Sequence, residues 1–193
     1  MMEAELGDLL KRYQVLREGH FLLTSGMHSD RYFEKFRILE QPKLCERFAQ
    51  ALATHFQSQG ITVVCGPTTG GVIVAYEVAR QLECRCIIAE KGERGRKIGR
   101  GFVVEETDRV LVVDDVMTTG GSIRETLAAL EEIQAKIVGI GVFIDRSVGV
   151  DFSVPFYSVY KEPVRNYESD KCPLCKKGVP LEVPGRSGKK VGG

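Results

Sequence analysis

The chain has 193 residues, enough for one well-packed domain with a small appendage. Its 27 Lys and Arg nearly cancel 26 Asp and Glu, which excludes a global basic surface for nucleic acid or for an acidic membrane. No apolar run approaches the roughly 20 residues of a membrane helix, and MMEAELGDLL lacks the basic start and cleavage site of a signal peptide, so a cytoplasmic protein is expected.

Leu6, Leu9, Leu10, Tyr13 and Leu16 recur at helical spacing and predict an amphipathic helix over 3–17. GHFLLTSGMHSDRYFEKF, residues 19–36, has a turn at Ser25-Gly26 between aromatic-rich flanks and predicts short strands. Pro42 opens a helix that carries Leu44, Phe48, Leu52 and Phe56 toward the core and stops at Gly60. ITVVC, residues 61–65, predicts a buried strand, GGVIVAYEVARQL a helix, and CIIAE, residues 86–90, the next strand.

The pattern breaks at KGERGRKIGRG, residues 91–101, whose four glycines and five basic residues predict a flexible basic loop. Strand 109–113, helix 122–133, strand 136–144 and a last strand at 156–160 follow. Strands alternating with helices imply an α/β fold with a largely parallel, Rossmann-like sheet and flanking helices. From about residue 168 Pro, Gly, Lys and Ser dominate, so 169–193 is expected to be a solvated tail on a domain spanning 1–168.

The chemistry concentrates in VLVVDDVMTTGGSIRE, residues 110–125. In a doubly wound sheet, ligands sit at the carboxyl ends of the strands, where Asp114 and Asp115 fall. The turn from Thr118 to Ser122 opens the next helix, and amides at a helix N-terminus with glycines beside them suit phosphate. The two carboxylates would repel that phosphate but accept hydrogen bonds from hydroxyl groups or attract a divalent cation. A phosphorylated sugar satisfies both halves, its diol on the acids and its phosphate in the turn. An acidic pair alone would fit a metal-binding phosphoacceptor loop equally well; the full string decides against it. No G-x-x-x-x-G-K-[ST] occurs in the chain, which excludes a Walker nucleotide loop.

V-L-V-V-D-D-V-M-T-T-G-G-S resembles the phosphoribosyl pyrophosphate (PRPP) motif of type I phosphoribosyltransferases. The resemblance implies that family's Rossmann-like core with a small hood, here residues 1–40 over a core of 41–168. It also implies that Asp114 and Asp115 hold the ribose hydroxyls while Val116, Met117, Thr118, Thr119, Gly120, Gly121 and Ser122 bind PRPP around its 5-phosphate. GHFLLTSGMHSDRYF resembles the hood of orotate phosphoribosyltransferases, and I-D-R at 144–146 matches as well. Arg146, Thr118 and the hood aromatics Tyr32 and Phe33 are then the orotate-binding set, with Arg146 giving a fixed two-donor fork for a carboxylate.

Further implications concern the leaving group and partners. Thr68, Thr69, Gly70 and Gly71 form a second strand-end turn whose amides suit pyrophosphate. Lys91, Lys97 and Arg100 are the loop cations expected to meet PRPP, Lys97 and Arg100 during catalysis. Mg²⁺ is the expected cofactor, orotate and PRPP the expected substrates, and a homodimer, in which the loop reaches the neighbouring subunit, the expected assembly. The chain departs from better-known bacterial members, which carry lysines where this sequence has Thr24 and Gly70 and a histidine in the loop. The rivals are a phosphoribosyltransferase for another base such as a purine, and a PRPP-sensing regulator; the latter would normally add a DNA-binding module.

Of six cysteines, Cys45, Cys65, Cys84 and Cys86 lie in apolar or helical segments as expected for reduced core thiols. Cys172-Pro-Leu-Cys175 has the shape of a zinc half-knuckle, two ligands where a structural site wants four. Cys84 and Cys86, or the same pair from a second subunit, are the expected partners if a metal binds; two free thiols in a solvated tail is the plainer expectation.

Overall fold

The alternation of β-branched runs with amphipathic stretches produces a six-stranded sheet in the computed structural model, which describes residues 3–23, 25–162 and 165–184. In chain order the elements begin with α1 (Glu3–Arg12), β1 (Leu16–Leu22), β2 (His28–Phe33), a one-turn α2 (Phe36–Leu39) and α3 (Pro42–Phe56). They continue with β3 (Val63–Pro67), α4 (Gly70–Leu82), β4 (Arg85–Lys91), β5 (Arg96–Ile98), β6 (Arg109–Met117) and α5 (Gly121–Glu131). Last come β7 (Lys136–Asp145), β8 (Phe156–Lys161), β9 (Asn166–Tyr167) and α6 (Pro173–Lys176). Two compact units result, one of residues 38–162 and one of residues 3–37 with 165–184.

The larger unit holds the sheet, in the order β5-β4-β3-β6-β7-β8. The strands β4, β3, β6, β7 and β8 are parallel, and β5 returns antiparallel along β4. Parallel strands need both faces covered, and the alternation of β7 shows how. Ile140 and Val142 join Ile123 and Leu130 of α5 in one buried cluster. On the opposite face Phe143 meets Phe48 of α3 at 5.3 Å between ring centroids, and Gly139 and Gly141 leave room for Phe56 and Leu52. Pro42 stands in the first turn of α3, where its fixed φ suits helix entry and its missing N–H costs nothing. Burial pushes the thiols of Cys65 up to about 12 and of Cys45 up to about 11, so both behave as apolar core groups.

Asp108 fastens the sheet's amino-terminal edge. It accepts hydrogen bonds from Thr62 Oγ1 at 2.8 Å and from the Glu105 amide at 2.7 Å, and pairs with Arg85. The Arg85 guanidinium, with those donors, holds its carboxyl down at about 2.

The smaller unit is a sheet of β1, β2 and β9 with α1 and α6. The helix expected over 3–17 ends at Arg12, because the chain reverses at Gln14 (φ 55°) and Leu16 enters β1, opposite Phe33. Strand pairing there overrides a helical periodicity that Tyr13 and Leu16 continue only in sequence. The expected tail also differs. Residues 165–184 are built onto the β1–β2 hairpin: β9 pairs with β2, and Glu182 bridges to Phe21, its amide donating to His20 O at 2.8 Å and its carbonyl accepting from Leu22 N at 2.8 Å. These contacts are main-chain hydrogen bonds, which leave no side-chain pattern in the sequence to read. Residues 185–193 lie outside the described residues.

Candidate active site

The strand order reverses at β3, which has β4 on one side and β6 on the other. Loops diverge at such a switch point and open a crevice at the carboxyl ends of β3 and β6. The crevice brings together the two sequence segments singled out for chemistry.

On β6, Asp114 and Asp115 are 7% and 2% exposed. Each is held by the backbone beyond it: Asp114 Oδ1 accepts from the Asp115 amide at 2.8 Å, and Asp115 Oδ1 from the Val116 amide at 2.6 Å. The acids lie within the strand rather than after it, since β6 runs on to Met117 by pairing Val116 with Ile144 and Met117 with Asp145 of β7. This corrects the strand end expected at 113. The ladder fixes both carboxylates where a loop would leave them mobile.

From β3 the chain turns through Thr68 and Thr69, whose peptide bond is cis, into α4. Here Gly70 and Gly71 act as spacers. A Cβ at Gly70 would lie 1.8 Å from Asp115 Oδ2, and one at Gly71 would lie 2.9 Å from Asp114 Oδ1. The N-terminus of α4 therefore abuts the acid pair, and its backbone amides and positive dipole end face the same crevice.

After Met117 the chain passes through Thr118, Thr119 and Gly120 into α5. Gly120 has φ 76°, a left-handed conformation that glycine takes without a Cβ penalty. Asp114, Val116, Met117, Thr118, Thr119, Gly120, Gly121 and Ser122 line one concavity of about 110 Å³. Arg146 follows β7 directly, with its amide donating to Met117 O at 2.8 Å. Its side chain is buried beside that same strand end. Asp145 before it accepts from the Ser147 amide and hydroxyl at 2.9 and 2.6 Å, which sets the turn that carries Arg146.

The segment expected to be a flexible loop is a hairpin. β5 pairs with β4 as Ala89–Ile98, Glu90–Lys97 and Lys91–Arg96, closed by a hydrogen bond from Gly92 N to Gly95 O at 2.8 Å. Alternation along β5 sends Arg96 inward and Lys97 outward, and Lys91, at the end of β4, is exposed as well. Arg100 pairs with Glu90 Oε1 at 2.6 Å. Arg96 is one of the five cations of this segment, with Lys91, Arg94, Lys97 and Arg100, and lies outside the set of Lys91, Lys97 and Arg100 expected to meet PRPP. It donates to Ala89 O at 3.0 Å, to Thr68 Oγ1 and Thr68 O at 3.2 Å, and to Ser122 Oγ at 3.1 Å. One buried guanidinium thus ties the hairpin to both helix-opening turns. No motif marks it; five basic residues in eleven gave no way to choose among them.

Tyr32 and Phe33 lie on β2 of the smaller unit. Phe33 is buried, and Tyr32 packs tilted on Phe21 with ring centroids 5.7 Å apart. Thr24 lies outside the described residues.

Carboxylates matched to hydroxyl donors, set between two amide-lined and hydroxyl-lined helix entries, make the crevice suited to a phosphorylated sugar. The chain belongs to the phosphoribosyltransferase family: the Phosphoribosyl transferase domain model matches residues 37–169. It is 43% identical over 186 residues to an orotate phosphoribosyltransferase from Caldanaerobacter subterraneus subsp. tengcongensis, covering 96% of this chain and 98% of the relative. An orotate phosphoribosyltransferase from Thermoanaerobacter sp. (strain X514) is 45% identical over the same span. Among solved structures, orotate phosphoribosyltransferase from Aeropyrum pernix superposes with a TM-score of 0.66 at 26% identity, covering 81% of this chain and 93% of that one.

Proposed function

We propose that this protein is an orotate phosphoribosyltransferase, transferring the phosphoribosyl group of PRPP to orotate to give orotidine 5′-monophosphate and pyrophosphate in pyrimidine nucleotide synthesis. The carrying observation is the crevice in which Gly70 and Gly71 close on Asp114 and Asp115 beside the Thr118–Ser122 turn. The choice of orotate rests on relatives of that name at 43–45% identity over nearly the whole chain.

In this reading Asp114 and Asp115 accept hydrogen bonds from the ribose hydroxyls, and the amides and hydroxyls from Thr118 to Ser122 hold the 5-phosphate. The α4 entry at Thr69, Gly70 and Gly71 receives the pyrophosphate. Arg146 grips the orotate carboxylate or adjacent carbonyl through two parallel N–H donors, next to Thr118. The orotate ring nitrogen attacks the anomeric carbon as pyrophosphate leaves the opposite face. Positive charge develops on the sugar and negative charge on the leaving group, so the protein's task is alignment and electrostatic stabilisation without a covalent nucleophile. The positive end of α4 favours the departing anion, while the acid pair orients the ribose.

The polar side chains lining the concavity at this strand end are a carboxylate and hydroxyls, an all-oxygen set that fits Mg²⁺. The ion would be held chiefly by PRPP's own oxygens, with Asp114 and Asp115 as the carboxylates at that strand end. When bound it neutralises part of the leaving group's charge.

UV-monitored consumption of orotate, dependent on PRPP and Mg²⁺, tests the assignment. Turnover of adenine, guanine or hypoxanthine with none of orotate would overturn it. Arg146→Lys is expected to raise the orotate KM at least ~10-fold while the PRPP KM stays within ~2-fold, because a point charge cannot reproduce a planar fork. Equal losses for both substrates would take Arg146 out of the base site.

The protein acts as a cytoplasmic homodimer in which the 91–101 hairpin, with Lys91, Lys97 and Arg100, serves the neighbouring subunit's site. Exposed Tyr76 and Ile73 on α4, beside Leu39 and Pro42, give an apolar patch of the kind a second copy covers. Among the described residues no helix is long and apolar enough to cross a membrane. An Asp114→Asn/Asp115→Asn variant mixed with Lys97→Ala/Arg100→Ala is expected to regain activity after subunit exchange, since each heterodimer holds one intact site. A mixture no more active than the sum of its parts, with heterodimers confirmed by native mass spectrometry, would mean the hairpin acts on its own subunit.

A further inference from the structure

We infer that the smaller unit contains a structural zinc site formed by His20, His28, Cys172 and Cys175, which the catalytic reading neither requires nor uses. Each of these residues offers one ligand atom, and the four atoms lie within 4.8 Å of one another. His20 and His28 come from the hairpin. His28 opposes Leu22 in the β1–β2 register, and His20 lies at the irregularity between Glu18 and Phe21, where the ladder shifts register. The two histidine ring centroids are 4.9 Å apart. Cys172 precedes α6 and Cys175 lies within it, and that single helical turn, with Lys176 N donating to Cys172 O at 3.3 Å, brings both sulfurs to one side.

The distances fit a tetrahedral ion. Zn–S bonds of about 2.3 Å and Zn–N bonds of about 2.0–2.1 Å imply ligand–ligand edges of roughly 3.3–3.8 Å. His20 Nε2 lies 3.5 Å from Cys172 Sγ and 3.7 Å from Cys175 Sγ, and His28 Nδ1 lies 3.3 Å from Cys175 Sγ. The two ring nitrogens, at 2.9 Å, need to part by roughly half an ångström. The second nitrogen of His20 explains why its first is available: Nδ1 lies 2.8 Å from Val179 O and can only donate to that carbonyl, which leaves the Nε2 lone pair facing the cluster.

A cation accounts for what hydrogen bonding alone does not. Two imidazole nitrogens and two sulfurs converge where His20, His28 and Cys172 are all buried. Without a cation the cluster has one ring N–H and two weak S–H donors to share among four acceptor atoms, whereas an ion takes all four lone pairs at once, with Cys175 on the exposed side. Two thiolates and two neutral imidazoles match Zn²⁺ in softness and give a site of zero net charge. All four positions are filled by protein, which marks a structural ion rather than a catalytic one. It would clamp a carboxy-terminal segment to a hairpin 152 residues earlier in the chain. The partners expected from the sequence, Cys84 and Cys86, are not among these ligands: they belong to the larger unit, at the end of α4 and the start of β4. Nor is Cys172 the solvated thiol of a free tail, being fully buried.

Protein made without a histidine tag should carry ~1 zinc per chain by elemental analysis, the stoichiometry of a closed four-ligand site. Cys172→Ser and His28→Ala should each lose most of it, while Cys84→Ser/Cys86→Ser keeps it. If the ligand variants do not fold, wild-type protein reconstituted with Co²⁺ should show the visible d–d and sulfur charge-transfer absorption of a tetrahedral thiolate site. Folded wild-type protein with less than ~0.1 zinc per chain, no such cobalt spectrum, and both thiols alkylated equally fast with and without added Zn²⁺ would overturn the inference. So would a Cys172–Cys175 disulfide in the native protein, or zinc lost only on replacing Cys84 and Cys86.

Discussion

Replacing Asp114 and Asp115 together by Asn is expected to lower kcat/KM at least ~100-fold, about 2.7 kcal/mol of transition-state stabilisation, with little change in fold. The geometry separates these two outcomes. The Oδ1 atom of each acid accepts a backbone amide, from Asp115 and from Val116 respectively, and an Asn carbonyl can keep both bonds. Side-chain volume is conserved as well, so β6 should pair with β7 as before. What disappears is the negative charge that, in the proposed reading, binds the ribose hydroxyls and favours an electron-poor anomeric carbon. Thermal melting followed by circular dichroism should place the double variant within a few degrees of the wild type, while steady-state assays show the loss. A double variant that turns over at near wild-type rates would remove PRPP from this crevice.

How far the sequence alone reaches depends on the kind of interaction. The strands and helices from Pro42 to Tyr160 are legible because burial imposes a period, and Asp114 to Ser122 are legible because strand, acids and turn follow one another without a gap. Long-range pairing is what periodicity cannot reveal. The extension of β6 through Met117 depends on a register with β7, and the hairpin at 91–101 exists because Arg96 can be buried against Thr68 and Ser122. The zinc ligands were half visible. Cys172 and Cys175 announce themselves, but their partners sit 152 residues away, and the clue was that two of the chain's three histidines flank one turn in a segment read for its aromatics.

The glycines at the crevice separate two effects that substitution usually mixes, and Gly70→Ala against Gly66→Ala makes the comparison. A Cβ at Gly66 would lie 2.0 Å from the backbone oxygen of Gly71 and 2.7 Å from Ala75 Cβ. Backbone inside α4 cannot yield without moving the helix off β3, so Gly66→Ala should cost roughly 3 kcal/mol, the upper range for overpacking. At about 2–4 °C per kcal/mol for a chain of this size, the melting temperature should fall by roughly 6–12 °C. At Gly70 the first obstacles are side-chain atoms, Asp115 Oδ2 at 1.8 Å and Asp115 Cγ at 2.7 Å, with Leu39 Cδ1 at 3.1 Å. Asp115 must swing out of the position its Val116 hydrogen bond holds, and a displacement near 1 Å at a reacting centre can cost on the order of 100-fold in rate. Gly70→Ala should therefore lose most of its kcat/KM with a melting temperature closer to wild type than that of Gly66→Ala. Full activity in Gly70→Ala would show that Asp115 can move without consequence, and the role assigned to it would fall with that result.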